Sequence, residues 1–122
     1  MKKEFKEIVK LAKEIGWDTT VNEDKTENYS IFTFTLMKPY QLDFSFSVEA
    51  ENNSVFSLLD NITHYLSAYD VSEETYLRLD EQGHGKKGYP YDMEVVLKIF
   101  KYREDEIGKL VEHLTDNYKE ED

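Results

Sequence analysis

Residues able to do chemistry are scattered along this chain of 122 residues rather than gathered into motifs. Its three histidines, His64, His84 and His113, fall in three separate segments. Only Asp60 and His64 stand at i, i+4, where a helix would place them side by side, and a zinc site needs about three or four converging ligands. The pair therefore reads as an exposed Asp–His couple, and no metal is assigned. The chain has no cysteine, which excludes disulfides, thiolate catalysis and cysteine-ligated zinc. Gly83 and Gly88 have the separation of a phosphate loop, G-x-x-x-x-G-K-[ST], but Tyr89-Pro90 follow where Lys-Ser should stand. That loop reads as a connector. Adjacent acids occur at Glu73/Glu74, Asp80/Glu81 and Glu120/Glu121, yet acid–base catalysis needs two carboxyls in unlike environments within a cleft. Such pairs arise by coincidence among 26 acids. No Ser or Thr stands in a nucleophile motif. No catalytic residue and no cofactor is assigned.

What the chain does carry is charge. Its 26 Asp and Glu outweigh 15 Lys and Arg, for a net charge of −11. A surface of this sign cannot neutralise phosphates, so direct nucleic-acid binding and docking on an anionic membrane are set aside. Residues 41–82 hold nine acids and one base, Arg78. The loop after them is locally basic through Lys86 and Lys87. Nine tyrosines are present, and Tyr40, Tyr89 and Tyr91 fall in or beside loops. Tyrosine suits protein interfaces because it joins apolar area to a polar tip. It serves equally well to anchor a loop on a core.

The elements that must position these residues follow from periodicity. Leu, Ile, Val and Phe make up about a quarter of the chain, enough for one modest core in a single domain spanning residues 1–122. Phe5, Ile8, Val9, Ala12 and Ile15 trace one face of a helix over 3–15, which Gly16 ends. A strand runs from Tyr29 to Met37, and Lys38-Pro39-Tyr40 turns the chain. Leu42, Phe44, Phe46 and Val48 then alternate with Gln41, Asp43, Ser45, Ser47 and Glu49, one face on the core and one in water. A weaker strand is expected at Asp18–Asn22. Asn52-Asn53-Ser54 turns into a helix striped by Val55, Leu58, Leu59, Ile62, Tyr65, Leu66 and Tyr69. Asp70-Val71-Ser72-Glu73 is a capping box for a short helix over 72–80. Asp92 caps a last helix over 93–118, on whose apolar stripe Arg103 sits.

The order is α-β-β-β-α-α-α, which predicts an α+β fold: a three-stranded antiparallel sheet with about four helices on one face. Phe34, Phe44, Phe46, Leu59, Ile62, Ile99 and Leu110 are expected to be buried together. The loop Gly83–Tyr91 should be ordered, with His84 and Lys86 exposed and Tyr91 packed. No stretch resembles a signal peptide or a membrane span, so the expected location is the cytoplasm.

The run Leu79-Asp80-Glu81-Gln82-Gly83-His84-Gly85-Lys86-Lys87-Gly88-Tyr89-Pro90-Tyr91-Asp92 resembles a stretch in short, acidic, uncharacterised accessory proteins of bacterial mobile elements such as plasmids, phages and integrative elements. The resemblance covers about 25–50 residues of the second half. Such proteins have no established activity, so no residue role carries over. What the resemblance implies is context: accessory proteins of this kind often bind a host or competitor protein.

The expected function is therefore a non-enzymatic protein-binding module or inhibitor. Its contact surface would combine acids with loop side chains: Asp43, Glu49, Glu51, Glu73, Glu74, Asp80, Glu81, His84, Tyr89 and Tyr91. Two sharper versions are a nucleic-acid mimic that fills a basic groove and an immunity-type protein that neutralises a basic toxin. The alternative is a small enzyme or ligand-binding domain with a pocket between sheet and helices. Arg103 is the deep polar residue that would serve it, unless its head snorkels to water at the stripe's edge. A homodimer paired through the last helix or an edge strand is a further expectation.

Overall fold

A computed structural model describes residues 1–24, 26–36 and 43–119. The elements are α1 (Lys3–Glu14), β1 (Trp17–Asp24), β2 (Tyr29–Leu36), β3 (Phe44–Glu51), α2 (Val55–Ala68), α3 (Val71–Leu77) and α4 (Met93–Asn117). The strands form one antiparallel sheet in the order β1-β2-β3. The fold is the α+β arrangement that the sequence predicts, α-β-β-β-α-α-α. The predicted turn Lys38-Pro39-Tyr40, the core position Leu42 and the acid pair Glu120/Glu121 lie outside the described residues.

Helix α1 buries Phe5, Ile8, Leu11 and Ala12 on one stripe. It stops at Gly16, whose φ of 92° lies in the left-handed region where a side chain would be strained. Strand β1 is longer at both ends than expected. Each of its eight residues pairs with β2, from Trp17↔Leu36 to Asp24↔Tyr29, and the pairing carries polar residues that propensity alone would leave out. The turn that follows is tied by the Asp24 carboxylate, which accepts from the Thr26 N–H at 3.0 Å, the Thr26 hydroxyl at 2.8 Å and the Glu27 N–H at 3.0 Å. These bonds, led by the one from Glu27, hold the carboxyl below its ordinary pKa.

β2 and β3 alternate as predicted. Phe32, Phe34, Leu36, Phe46, Val48 and Ala50 are buried. On the opposite face the Thr33 and Ser47 hydroxyls lie 2.8 Å apart, and so do those of Thr35 and Ser45. β3 runs two residues beyond its expected end, so Glu51 is a strand residue opposite Tyr29. Asn52 and Asn53 then take left-handed conformations, φ 57° and 52°, which asparagine tolerates. Ser54 caps α2 by accepting from the Ser57 N–H at 3.3 Å.

The helices cover the aromatic face. Phe34, Phe46, Ile62 and Leu110 share the main core, but Phe44 and Leu59 are half-buried at its edge. Ile99 is buried with Val96 and Phe100 outside that cluster, because α4 there meets α3 instead of the sheet. Helix α3 starts on its Asp70 cap, which accepts from the Glu73 N–H at 3.0 Å, and ends at Leu77, three residues before the expected end. The reason lies beyond the helix: Leu79 leaves it to pair with Gly85.

Candidate functional site

The segment 78–91 is a knitted strap. The Lys86 N–H donates to the Arg78 carbonyl at 3.0 Å, the Asp80 N–H to the His84 carbonyl at 2.8 Å, and the Gly85 N–H to the Tyr91 carbonyl at 3.0 Å. The Asp80 carboxylate accepts from the Gln82 N–H at 2.9 Å and the His84 N–H at 3.0 Å. Chiefly the bond from His84 lowers its pKa. Gly85 has no room for a Cβ, which would run into the Pro90 carbonyl. Lys86 is exposed as expected, but the other two assignments are corrected. His84 is half-buried, and Tyr91 is 70% exposed with its ring stacked on His84 at 3.8 Å. The packed tyrosine is Tyr89. It stacks on Phe100 at 5.7 Å, with the Arg78 guanidinium also 5.7 Å from its ring. Two neighbouring ring positions exchange roles because the register of the strap, not residue type, decides which faces in.

Beneath Tyr89 lies Arg103. Its side chain does not snorkel: it is 5% exposed, and its guanidinium carbon sits 4.9 Å from the Phe44 ring, 5.0 Å from Phe100 and 5.8 Å from Tyr89. Nη1 donates to the Tyr89 hydroxyl at 3.2 Å. Nη2 is buried and has no hydrogen-bond partner among the described residues. No ion pair among the described residues includes Arg103. The Tyr69 hydroxyl is buried and unbonded as well, and burial pushes its pKa well above the usual tyrosine range while Arg103 pulls the other way. Tyr69 packs edge-on to the same Phe44 ring at 6.3 Å. Cation–π attraction to desolvated rings is worth about 2 kcal/mol or more, against a penalty of several kcal/mol for a buried unpaired ion. One turn further along α4 the contrast is plain: the buried Glu106 holds Lys109 at 3.1 Å.

Several large apolar side chains are exposed between residues 76 and 97. Tyr76 is 77% exposed, and Leu77, Tyr91, Met93 and Leu97 also face outward. All belong to α3, the strap or the start of α4. Exposed acids flank them in sequence at Glu73, Glu81, Asp92 and Glu94.

The predicted acids do not form one surface. Glu49 and Glu51 project from the open face of β3, and exposed Asp43 immediately precedes that strand. Glu73 and Glu81 stand exposed on the helical side. Glu74, expected among the surface acids, is half-buried, and its charge reaches Tyr65 and Tyr69. Asp80 is committed to the strap's own amides. His64 and Asp60 are both exposed.

Sequence reasoning missed Tyr76, Leu77, Met93, Leu97 and Tyr69. Met93 and Leu97 carried a readable signal: they stand at i, i+4 but off the stripe of Val96, Ile99, Phe100 and Arg103. Helix α3 is two turns long, too short for periodicity to say which side faces out. Comparison with known protein families, curated proteins and solved structures finds no match for this chain.

Proposed function

We propose that this chain is a non-enzymatic protein-binding module whose contact surface is built by α3, the strap and the first turns of α4. The observation that carries the reading is the exposure of Tyr76, Leu77, Tyr91, Met93 and Leu97 within residues 76–97, flanked by Glu73, Glu81, Asp92 and Glu94. Protein interfaces combine an apolar, aromatic centre with a polar rim in this way. The partner is a protein with an apolar patch bordered by Lys or Arg. Of the two sharper versions, an immunity-type inhibitor fits better than a nucleic-acid mimic. A mimic needs acids tracking a groove, whereas these acids divide between the open sheet face and the helical side.

The test begins with a partner purified from the native cell by affinity capture. Glu73→Lys with Glu81→Lys should slow its association at low salt, an effect that fades as the Debye length falls from about 10 Å at 0.1 M to about 3 Å at 1 M. Tyr76→Ala with Leu77→Ala should speed dissociation and weaken binding by about tenfold or more. Glu74 and Asp80 are left intact, because one faces tyrosines and the other ties the strap. Unchanged affinity in both double variants would sink the reading.

A further inference from the structure

The sheet has two outer edges, and they are treated differently. Along β3 the Glu51 N–H donates to Ser57 Oγ at 3.0 Å, and Asn61 Nδ2 donates to the Glu49 carbonyl at 2.7 Å. Helix α2 thus takes up backbone groups that β3 turns away from β2, and a covered edge cannot recruit a further strand. The same two bonds fix the phase of the ladder. Alternate residues of an antiparallel strand bond to a given neighbour. β3 therefore bonds to β2 through Phe46, Val48 and Ala50, opposite Phe34, Phe32 and Ser30. Ile31, Thr33 and Thr35 are left to bond β1 at Asn22, Thr20 and Asp18. The other residues of β1, Thr19, Val21 and Glu23, turn their N–H and C=O groups outward. Among the described residues no backbone hydrogen bond reaches those three from that side.

The open edge is eight residues long, in unbroken register with β2, and has no proline, lysine or bulge to deter another strand. Its deterrent is acid. The row facing away from the helices is Asp18, Thr20, Asn22 and Asp24, with no base among them. Such a row repels an acidic strand, including one from a second copy of this chain at net charge −11, and accepts a basic one. The inward row brings half-buried Thr19 and Val21 to the border of the core, where an apolar neighbour would extend it. Helix α1, which packs on β1, carries Lys6, Lys10 and Lys13, so basic side chains belong on the outward row alone.

We infer that β1 is a docking edge for an extended segment of a partner protein in which Lys or Arg alternates with apolar residues, and that this segment adds as an antiparallel fourth strand. Backbone hydrogen bonds supply the affinity of strand addition, and the alternating side chains supply its specificity. No residue of β1 belongs to the surface formed by α3, the strap and α4, so either site can fail without the other.

The test uses the full chain and a blocked Lys-Val-Lys-Val-Lys-Val-Lys-Val peptide, read by amide hydrogen exchange and calorimetric titration. In the free chain the Thr19, Val21 and Glu23 amides should exchange freely, while the ladder protects those of Thr20 and Asn22. The peptide at ten times its Kd should slow exchange at Thr19, Val21 and Glu23 about tenfold. The same peptide N-methylated at its valines, whose N–H groups would face β1, should not bind. Methylation at the lysines, whose N–H groups point away, should be tolerated. Asp18→Lys should weaken the peptide about threefold or more. Val21→Pro removes an outward N–H without breaking the ladder, so it should fold and lose binding. Equal protection of Val21 and Thr20 in the free chain would overturn the inference, as would equal binding of the two methylated peptides. Tighter binding of a Glu-Val peptide, or self-association that protects the same amides, would also overturn it by assigning the edge another occupant. If Val21→Pro fails to fold, the methylated peptides still decide.

Discussion

At the end of the sheet where β1 turns into β2, the fully buried Ser30 hydroxyl donates to Asn53 Oδ1 at 2.7 Å. Asn53 Nδ2 donates in turn to Asn28 Oδ1 at 3.0 Å, and Lys2 Nζ to the Asn53 carbonyl at 3.0 Å. At the opposite end, beyond Phe44, Arg103 and Tyr69 keep donors that nothing among the described residues accepts. The first network joins two left-handed turns, at Asn28 and at Asn52-Asn53, and so fixes where β2 begins and β3 ends. It buys architecture. The second defines no turn and no register, and its donors face aromatic rings. The difference teaches that buried polarity in this chain takes two forms, one closed by the fold's own hydrogen bonds and one held chiefly against aromatic rings.

The largest effect belongs to neither end. Phe46 stacks on Tyr65 at 4.3 Å and on Phe34 at 5.4 Å in the middle of the sheet. Phe46→Ala should cost about 3–5 kcal/mol in chemical denaturation, against less than about 0.5 kcal/mol for Ser45→Ala on the open face. The two ends then separate by sign. Ser30→Ala removes the donor that Asn53 depends on and should cost about 1–3 kcal/mol. Arg103→Met removes an unpaired buried charge and should leave stability unchanged or raise it by about 1 kcal/mol. A loss from Arg103→Met as large as that from Ser30→Ala would erase the distinction between the ends. Smaller again, Tyr69→Phe should shift stability by less than about 0.5 kcal/mol, because it deletes a hydroxyl that bonds to nothing described.

The smallest effect is local and depends on pH. The folded pKa of Asp80 lies below its ordinary value of 3.8, so its contribution is complete above that value. It disappears as pH falls through the lower, folded value. The Gln82 and His84 amide resonances should move together in that acid range while those of β2 stay put. Motion of both sets together would mean that the strap has no independent response.

Most of the fold was legible because its signals are local. The alternation of Phe32, Phe34 and Leu36, and of Phe44, Phe46 and Val48, specified two strands and their inward face without help from elsewhere. Both ends of β1 were not legible: Glu23 and Asp24 are poor strand formers that enter the sheet only through pairing with β2, and Trp17 directly follows Gly16, where the preceding helix ends. The early end of α3 depends on a bridge between Leu79 and Gly85, which no helical pattern announces. At the candidate site, the place of Arg103 on the apolar stripe of α4 could be read, but its surroundings could not. Phe44, Tyr69 and Tyr89 come from three different elements, and only tertiary packing brings them to one guanidinium. The choice of Tyr89 over Tyr91 as the packed ring was equally hidden, since the two differ only in how the strap is threaded.

Trp17 is the chain's one tryptophan, is 0% exposed, and lies edge-on to Phe44 at 6.2 Å and to Phe46 at 5.6 Å. Its indole N–H, like the donors near it, has no acceptor among the described residues. The protein thus contains its own optical probe, placed beside Phe44 at the end of the sheet that holds the unmet donors. Native emission should be blue-shifted and shielded from iodide quenching. Loosening of β1 from β2 should redden it before the helices lose their far-ultraviolet signal, so one cuvette measurement can follow this end of the molecule without any added label.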